Sequence, residues 1–134
     1  MMEVKAKIAI IDNNTDYLFS TETFLSRNGF RVVTAEDGKT GMDLIKKEKP
    51  DIVLLDVMME SLFSGFEVFR QLKSDPELKK IPVIGISGMA NEIKVKFNGT
   101  SDSEFFNPDL FFEKPVNKEM LLSKIKELLL KGSA

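Results

Sequence analysis

Four branched aliphatic residues in succession, Ile52-Val53-Leu54-Leu55, run between Pro50-Asp51 and Asp56. A run this short and this apolar suits a strand buried on both faces, as in the middle of a parallel sheet. Ile8-Ala9-Ile10-Ile11 repeats the pattern and also ends in an acid, Asp12. A carboxylate directly after such a strand stands at its carboxyl end, where open α/β sheets place their ligand sites. Two acids delivered to one rim of one sheet imply a small polyanionic pocket. Such a pocket suits a hard divalent cation.

Strand-like and helix-like stretches alternate along all 134 residues, which predicts an α/β domain with a parallel sheet covered by helices on both faces. The length is that of a single domain, 1–134, and no repeat or low-complexity tract divides it. Strands are expected at Lys7–Ile11, Phe30–Thr34, Ile52–Leu55, Pro82–Ile86 and Leu110–Phe112. Helix 1 presents Tyr17, Leu18, Thr21, Phe24 and Leu25 on one face and stops at Asn28-Gly29. Asp37 caps helix 2, whose inner face is Gly41, Met42 and Ile45. Ser64 and Glu67 have capping-box spacing at the start of helix 3, with Phe66, Phe69 and Leu72 inward. Helix 5 runs from near Asn117 to Lys131 with Met120, Leu121, Ile125, Leu128 and Leu129 inward. Between Gly88 and Asp109 the signal is divided. Met89, Ile93 and Phe97 fit a fourth helix, while Ile93 to Phe97 also alternates as a strand does.

Composition removes several kinds of chemistry. With no Cys there is no disulfide, thiolate nucleophile or Cys-ligated zinc; with no His there is neither the usual neutral-pH base nor a phosphohistidine on this chain. A net charge of −2, with lysines spread along the chain, gives no field that would draw nucleic acid or an anionic membrane. No apolar run reaches membrane-spanning length and no secretory pattern opens the chain, so a cytoplasmic location is expected.

Four motifs, taken in order, resemble the receiver domain of two-component response regulators, the family of the single-domain chemotaxis regulators. They are Ile10-Ile11-Asp12, Pro50 through Met59, Ile81 through Ser87, and Lys114-Pro115. The resemblance spans nearly the whole chain. It implies a doubly wound, five-stranded parallel sheet, (βα)5 and flavodoxin-like, of strand order 2-1-3-4-5. It also implies that Asp56 accepts a phosphoryl group from the phosphohistidine of a histidine kinase or phosphotransfer protein, with Mg²⁺ as cofactor. The metal ligands carried over are Asp12, Asp56 and the Met58 backbone carbonyl, with Asn13 a weaker candidate. Ser87 is the implied switch hydroxyl, Lys114 the cation facing the phosphoryl group, and Phe111 the aromatic that moves on activation. Met58 and Met89 hold the positions that tune hydrolysis of the aspartyl phosphate. Output is expected through the helix 4–strand 5–helix 5 surface to a downstream protein target or effector domain. The chain would not be an enzyme beyond its own phosphotransfer and dephosphorylation.

Each residue also has a plainer reading. Asp12 could cap helix 1, Asp56 could be a turn residue, Ser87 a loop hydroxyl, Lys114 a surface lysine and Phe111 core. This sequence also departs from the family pattern. Asn13 stands where a second acid is usual, and an amide oxygen brings no charge to a metal. Glu60 replaces a common Pro, and the stretch from Ser87 to Lys114 is longer than usual. These departures keep a second expectation open, a pseudo-receiver that binds proteins without being phosphorylated. A flavodoxin-like cofactor binder is disfavoured, because Asp12-Asn13-Asn14-Thr15 has no Gly and opens with an acid that repels phosphate. No nucleic acid or membrane partner is expected, and a homodimer through the helix 4 to helix 5 face is allowed but not required. Both a stand-alone regulator and a receiver cut from a longer protein are compatible with the sequence.

Overall fold

Side chains alternate across a strand, so a run that is apolar at every position needs a cover on both faces. A computed structural model of the chain, describing residues 6–56, 64–87, 110–113 and 116–133, supplies both covers. Its strands are β1 (Lys7–Ile11), β2 (Arg31–Ala35), β3 (Ile52–Asp56), β4 (Val83–Ser87) and β5 (Leu110–Glu113). Helices α1 (Thr15–Arg27), α2 (Gly38–Glu48) and α3 (Ser64–Ser74) precede a C-terminal helix, Lys118–Ser133. The strands form one parallel sheet in the order β2-β1-β3-β4-β5, the order expected from the resemblance.

The two covers divide the strand residues by parity. Ala9, Ile11, Val53, Leu55 and Val83 share one core with Met42 and Ile45 of α2 and Val68, Phe69 and Leu72 of α3. Ile8, Ile10, Ile52, Leu54, Ile84 and Ile86 share the other with Leu18 and Leu25 of α1 and Leu121, Leu122 and Ile125 of the C-terminal helix. All five residues of β3 are buried, and each aliphatic side chain so buried contributes about 1.5–3 kcal/mol. The sheet's amino edge is tied down separately. Lys7 Nζ meets Glu48 Oε1 at 2.9 Å and the Lys7 N–H donates to Asp51 Oδ2 at 2.8 Å.

Helix ends follow local chemistry. Asn14 caps α1, its side chain accepting from the Tyr17 N–H at 3.0 Å, so the capping alternative for Asp12 is not what the fold uses. Gly29, at φ 92°, turns the chain out of α1 as expected. Asp37 caps α2 through the Thr40 N–H at 2.8 Å, and its carboxyl lies below the usual range, held there first by the Thr40 hydroxyl. Glu67 reaches forward to Arg70 at 2.7 Å and Gln71 at 3.2 Å.

Several expectations shift. Strand β2 begins at Arg31, because the Phe30 N–H is still engaged by Leu25 O of α1. Strand β4 begins at Val83, since Pro82 has no N–H for the ladder. Met120, expected to face inward, is 54% exposed. Leu121 and Ile125, one turn apart, define the buried face, and Met120 is rotated off it in the first turn capped by Asn117. The expected fourth helix, with Met89, lies outside the described residues, as do Met58 and Lys114.

Gly41 carries α2 against β1. A Cβ at this position would stand 2.7 Å from Ile11 Cδ1 and 3.0 Å from Ile11 Cγ2, inside a fully buried side chain. Gly41→Ala gains about 1 kcal/mol of helix propensity but overpacks a core, which costs about 1–3 kcal/mol. A net loss of about 1 kcal/mol is expected by chemical denaturation, and Ile11→Val added to it should recover part of the loss. A Gly41→Ala protein as stable as wild type would contradict the close approach.

Candidate functional site

The register of β1 on β3 decides where the acids stand. Ile10 pairs with Leu54 and Ile11 with Leu55, so the next residues of the two chains are Asp12 and Asp56. Adjacent strands lie about 4.8 Å apart, which places the two carboxylates as neighbours at one sheet edge. The pleat gives both the parity of Ile10 and Leu54, the side covered by α1 and the C-terminal helix. Neither acid is offered freely to solvent: Asp12 is 1% exposed and Asp56 5%.

Backbone groups hold Asp12 in place. Its N–H donates to Ala35 O of β2 at 3.1 Å, continuing the sheet ladder one residue beyond the strand. Its Oδ1 accepts the Asn14 N–H at 2.9 Å. Asn14 in turn caps α1 through Tyr17, so one residue joins the acid to the helix start. Asn13, between them, is exposed.

The remaining expected site residues are placed as far as the backbone goes. Asp56 pairs with Ile86, and Ser87 follows as the last residue of β4. Ser87 pairs with Glu113 at the end of β5, the residue before Lys114. The backbones of Asp56 and Ser87 therefore end at the same edge as Asp12. Ser87 and Phe111 are described as backbone only, and Lys114, Met58 and Met89 not at all.

One neighbour of the acids was read from the sequence as plain helix face. Tyr17 packs against the α1-side core, and its hydroxyl has no exposed surface. Its phenol is pushed up to about 12, chiefly by burial and further by the negative charges of Asp12 and Asp56; the Thr21 hydroxyl acts in the opposite direction. Tyr17 is therefore a neutral hydroxyl at physiological pH, buried within electrostatic reach of both acids. The available signal was two hydroxyls, Tyr17 and Thr21, four apart on an otherwise apolar helix face beginning five residues after Asp12.

The donor set can be tested for a cation. Among the described residues, no group of three or more His, Cys, Asp or Glu side chains stands together. Zinc-like or all-protein calcium cages are thus not built from these residues. Mg²⁺ asks for less, taking one or two carboxylates and completing its octahedron with water and phosphate oxygens. Asp12 and Asp56 meet that requirement.

Comparison with known proteins agrees with this geometry. The model of the response regulator receiver domain matches residues 8–126. PilH of Pseudomonas aeruginosa is 36% identical over 127 residues, covering 92% of this chain and 98% of that protein. Many other curated relatives are longer, and the chain spans 26% to about half of their length. A CheY-like receiver domain protein from Methanospirillum hungatei superposes with a TM-score of 0.80 at 26% identity, over 97% of this chain and 98% of that one. The receiver domain of the sensor histidine kinase PA1611 from Pseudomonas aeruginosa, with a magnesium ion coordinated in its active-site cleft, shares the fold at 18% identity (TM-score 0.77, 94% and 98% covered). With most of its length matched, its strand order and its paired acids in place, the chain belongs to the receiver-domain family of two-component response regulators.

Proposed function

We propose that this chain is a single receiver unit that accepts a phosphoryl group on Asp56 from the phosphohistidine of a partner histidine kinase or phosphotransfer protein. The observation that carries this reading is the juxtaposition of Asp12 and Asp56, two buried carboxylates on adjacent strand ends. Burying like charges side by side is costly, and proteins keep such pairs where a proton or a cation is to be shared. Asp12, Asp56 and the Met58 carbonyl would hold Mg²⁺, with Asn13 contributing at most a neutral oxygen. When bound, the ion offsets the acids' charge, so that an anionic donor can approach, and neutralises charge on the phosphoryl oxygens.

The transfer balances without further reactants. An Asp56 carboxylate oxygen attacks phosphorus in line, the new P–O bond forms, and the P–N bond of the donor breaks. The electron pair of that bond returns to the imidazole nitrogen. This chain has no His, so the phosphohistidine must belong to the partner. Ser87 donates its hydroxyl proton to a phosphoryl oxygen and Lys114 supplies an ammonium to the same group. Their engagement would draw on the ends of β4 and β5, with Phe111 following, and alter the helix 4–strand 5–helix 5 surface that a downstream target reads. Among the described residues no helix is long and apolar enough to cross a membrane, and we place the signalling step in the cytoplasm.

A second reading has one observation in its favour. Asn13 is neutral and exposed where a further acid is usual. A pseudo-receiver that binds partners without phosphorylation would tolerate that change.

Intact mass after incubation with a small acyl phosphate and Mg²⁺ separates the two readings. A gain of one phosphoryl group, absent in Asp56→Ala, is expected; no gain at saturating Mg²⁺ with partner binding retained would favour the pseudo-receiver.

The lifetime of the phosphorylated state bears on Met58 and Met89. Apolar bulk at these positions should hinder an attacking water. Met58→Asn is expected to shorten the half-life, and a longer one would contradict the assignment.

Stability tests the acids directly. Asp12→Asn should stabilise the metal-free protein by on the order of 1–2 kcal/mol through loss of like-charge repulsion. Mg²⁺ at 100 times its dissociation constant should stabilise wild type by about 2.7 kcal/mol and the variant far less. Identical unfolding curves for both proteins, with and without Mg²⁺, would contradict a cation-sharing pair.

A further inference from the structure

Phe19 of α1 is 72% exposed, an aromatic ring left outside both cores. Apolar side chains scattered singly over a surface are ordinary. This one lines a groove of about 520 Å³ between α1 and α2. The two helices belong to opposite layers, and the groove crosses the edge of the sheet, where β2 is the terminal strand. Phe19 and Glu22 come from α1, Leu44 from α2, and Thr34 and Glu36 from the end of β2 between them.

Two properties of the groove define what would fill it. The first is charge. Glu22, Glu36 and Asp37 line it and no Lys or Arg does; Lys39 acts on Asp37 from outside the lining. Asp37 is committed to the Thr40 N–H at the start of α2. Glu22 and Glu36 have no ion-pair partner among the described residues. The second property is open backbone. Among the described residues β2 pairs with β1 alone. The Arg31 N–H donates to Ala6 O and Ala35 O accepts from the Asp12 N–H, so the odd-numbered residues of β2 face β1. Backbone groups alternate in direction along a strand, so Thr34 turns its N–H and C=O to the open side. A free sheet edge is a template for a further strand, and charges beside it select which strand is accepted.

We propose that this groove is a docking site for an extended, cationic segment of a partner protein, which adds a strand to the β2 edge. Its backbone bonds Thr34, an apolar side chain packs between Phe19 and Leu44, and lysine or arginine side chains meet Glu22 and Glu36. β2 and β5 are opposite edges of the sheet, so a segment held here leaves the β5 edge uncovered. The docking does not depend on phosphorylation of Asp56.

The probe is an acetylated, amidated hexapeptide of alternating lysine and valine, titrated into the full ¹⁵N-labelled chain, with a glutamate–valine hexapeptide as control. Saturable shifts are expected at the amides of Phe19, Thr34 and Glu36. The Thr34 amide should also exchange more slowly with solvent, an effect that charge attraction alone would not produce. Phe19→Ala should weaken the lysine peptide about tenfold, and Glu22→Lys with Glu36→Lys should reverse the preference toward the glutamate peptide. Circular dichroism checks that each variant keeps the fold; Phe19→Ala removes only an exposed ring. Equal affinity for the two peptides, binding indifferent to Phe19→Ala, shifts centred elsewhere, or no saturable binding at millimolar peptide overturns the proposal. A wild-type dimer that Phe19→Ala dissociates, with no peptide binding, would assign the groove to a second copy and overturn it too.

Discussion

The parallel pairing of β1 with β3 is the constraint on which the site depends. Its register matches Ile10 with Leu54 and Ile11 with Leu55, and so delivers Asp12 and Asp56 together. A slip of one residue would send one acid to the opposite face of the sheet, because side chains alternate. The register is protected by burial. Ile8, Ile10, Ile52 and Leu54 face α1 and the C-terminal helix, while Ala9, Ile11, Val53 and Leu55 face α2 and α3. Every side chain of the strand that slid would change cover. Aliphatic packing in the middle of the sheet therefore sets the geometry of charge at its edge.

That arrangement also concentrates strain of an electrostatic kind. The best-buried strands end in the least comfortable residues, two carboxylates almost withdrawn from water. Two of the groups near them are the Asn14 N–H on Asp12 Oδ1 and the buried Tyr17 phenol. Neither carries a formal charge. Asn13, the exposed residue after Asp12, is neutral and adds no charge beside the pair.

Much of this was legible in the sequence where burial and local chemistry act in the same direction. The continuous apolar runs at 8–11 and 52–55 gave the inner strands, and an acid after each gave the edge of the sheet where a site belongs. The turn at Gly29 and the cap at Asp37 were readable because one residue decides each. Boundaries moved where a neighbour intervened, as when α1 retained the Phe30 N–H. Met120 was misplaced because an apolar residue in the first turn of an amphipathic helix satisfies the pattern loosely, and the turn capped by Asn117 rotates it outward. Tyr17 was under-read for a different reason. Helical periodicity reports which side of a helix is inward, but not that a hydroxyl there comes within electrostatic reach of acids at two strand ends. The register of β1 on β3 is a tertiary fact, and the meaning of the phenol depends on it.

The proposed cation position lies at the carboxyl edge between β1 and β3. Mn²⁺ accepts the same oxygen ligands as Mg²⁺ and broadens nearby nuclear resonances. Titrated at substoichiometric amounts into the ¹⁵N-labelled chain, it should first erase the backbone amide signals of Asp12, Asn13 and Asp56. The amides of Lys7, Arg31 and Ile52, at the opposite edge, should persist, and excess Mg²⁺ should restore those lost. Broadening that begins at the opposite edge, spreads evenly over the surface, or survives the Mg²⁺ competition would contradict the account.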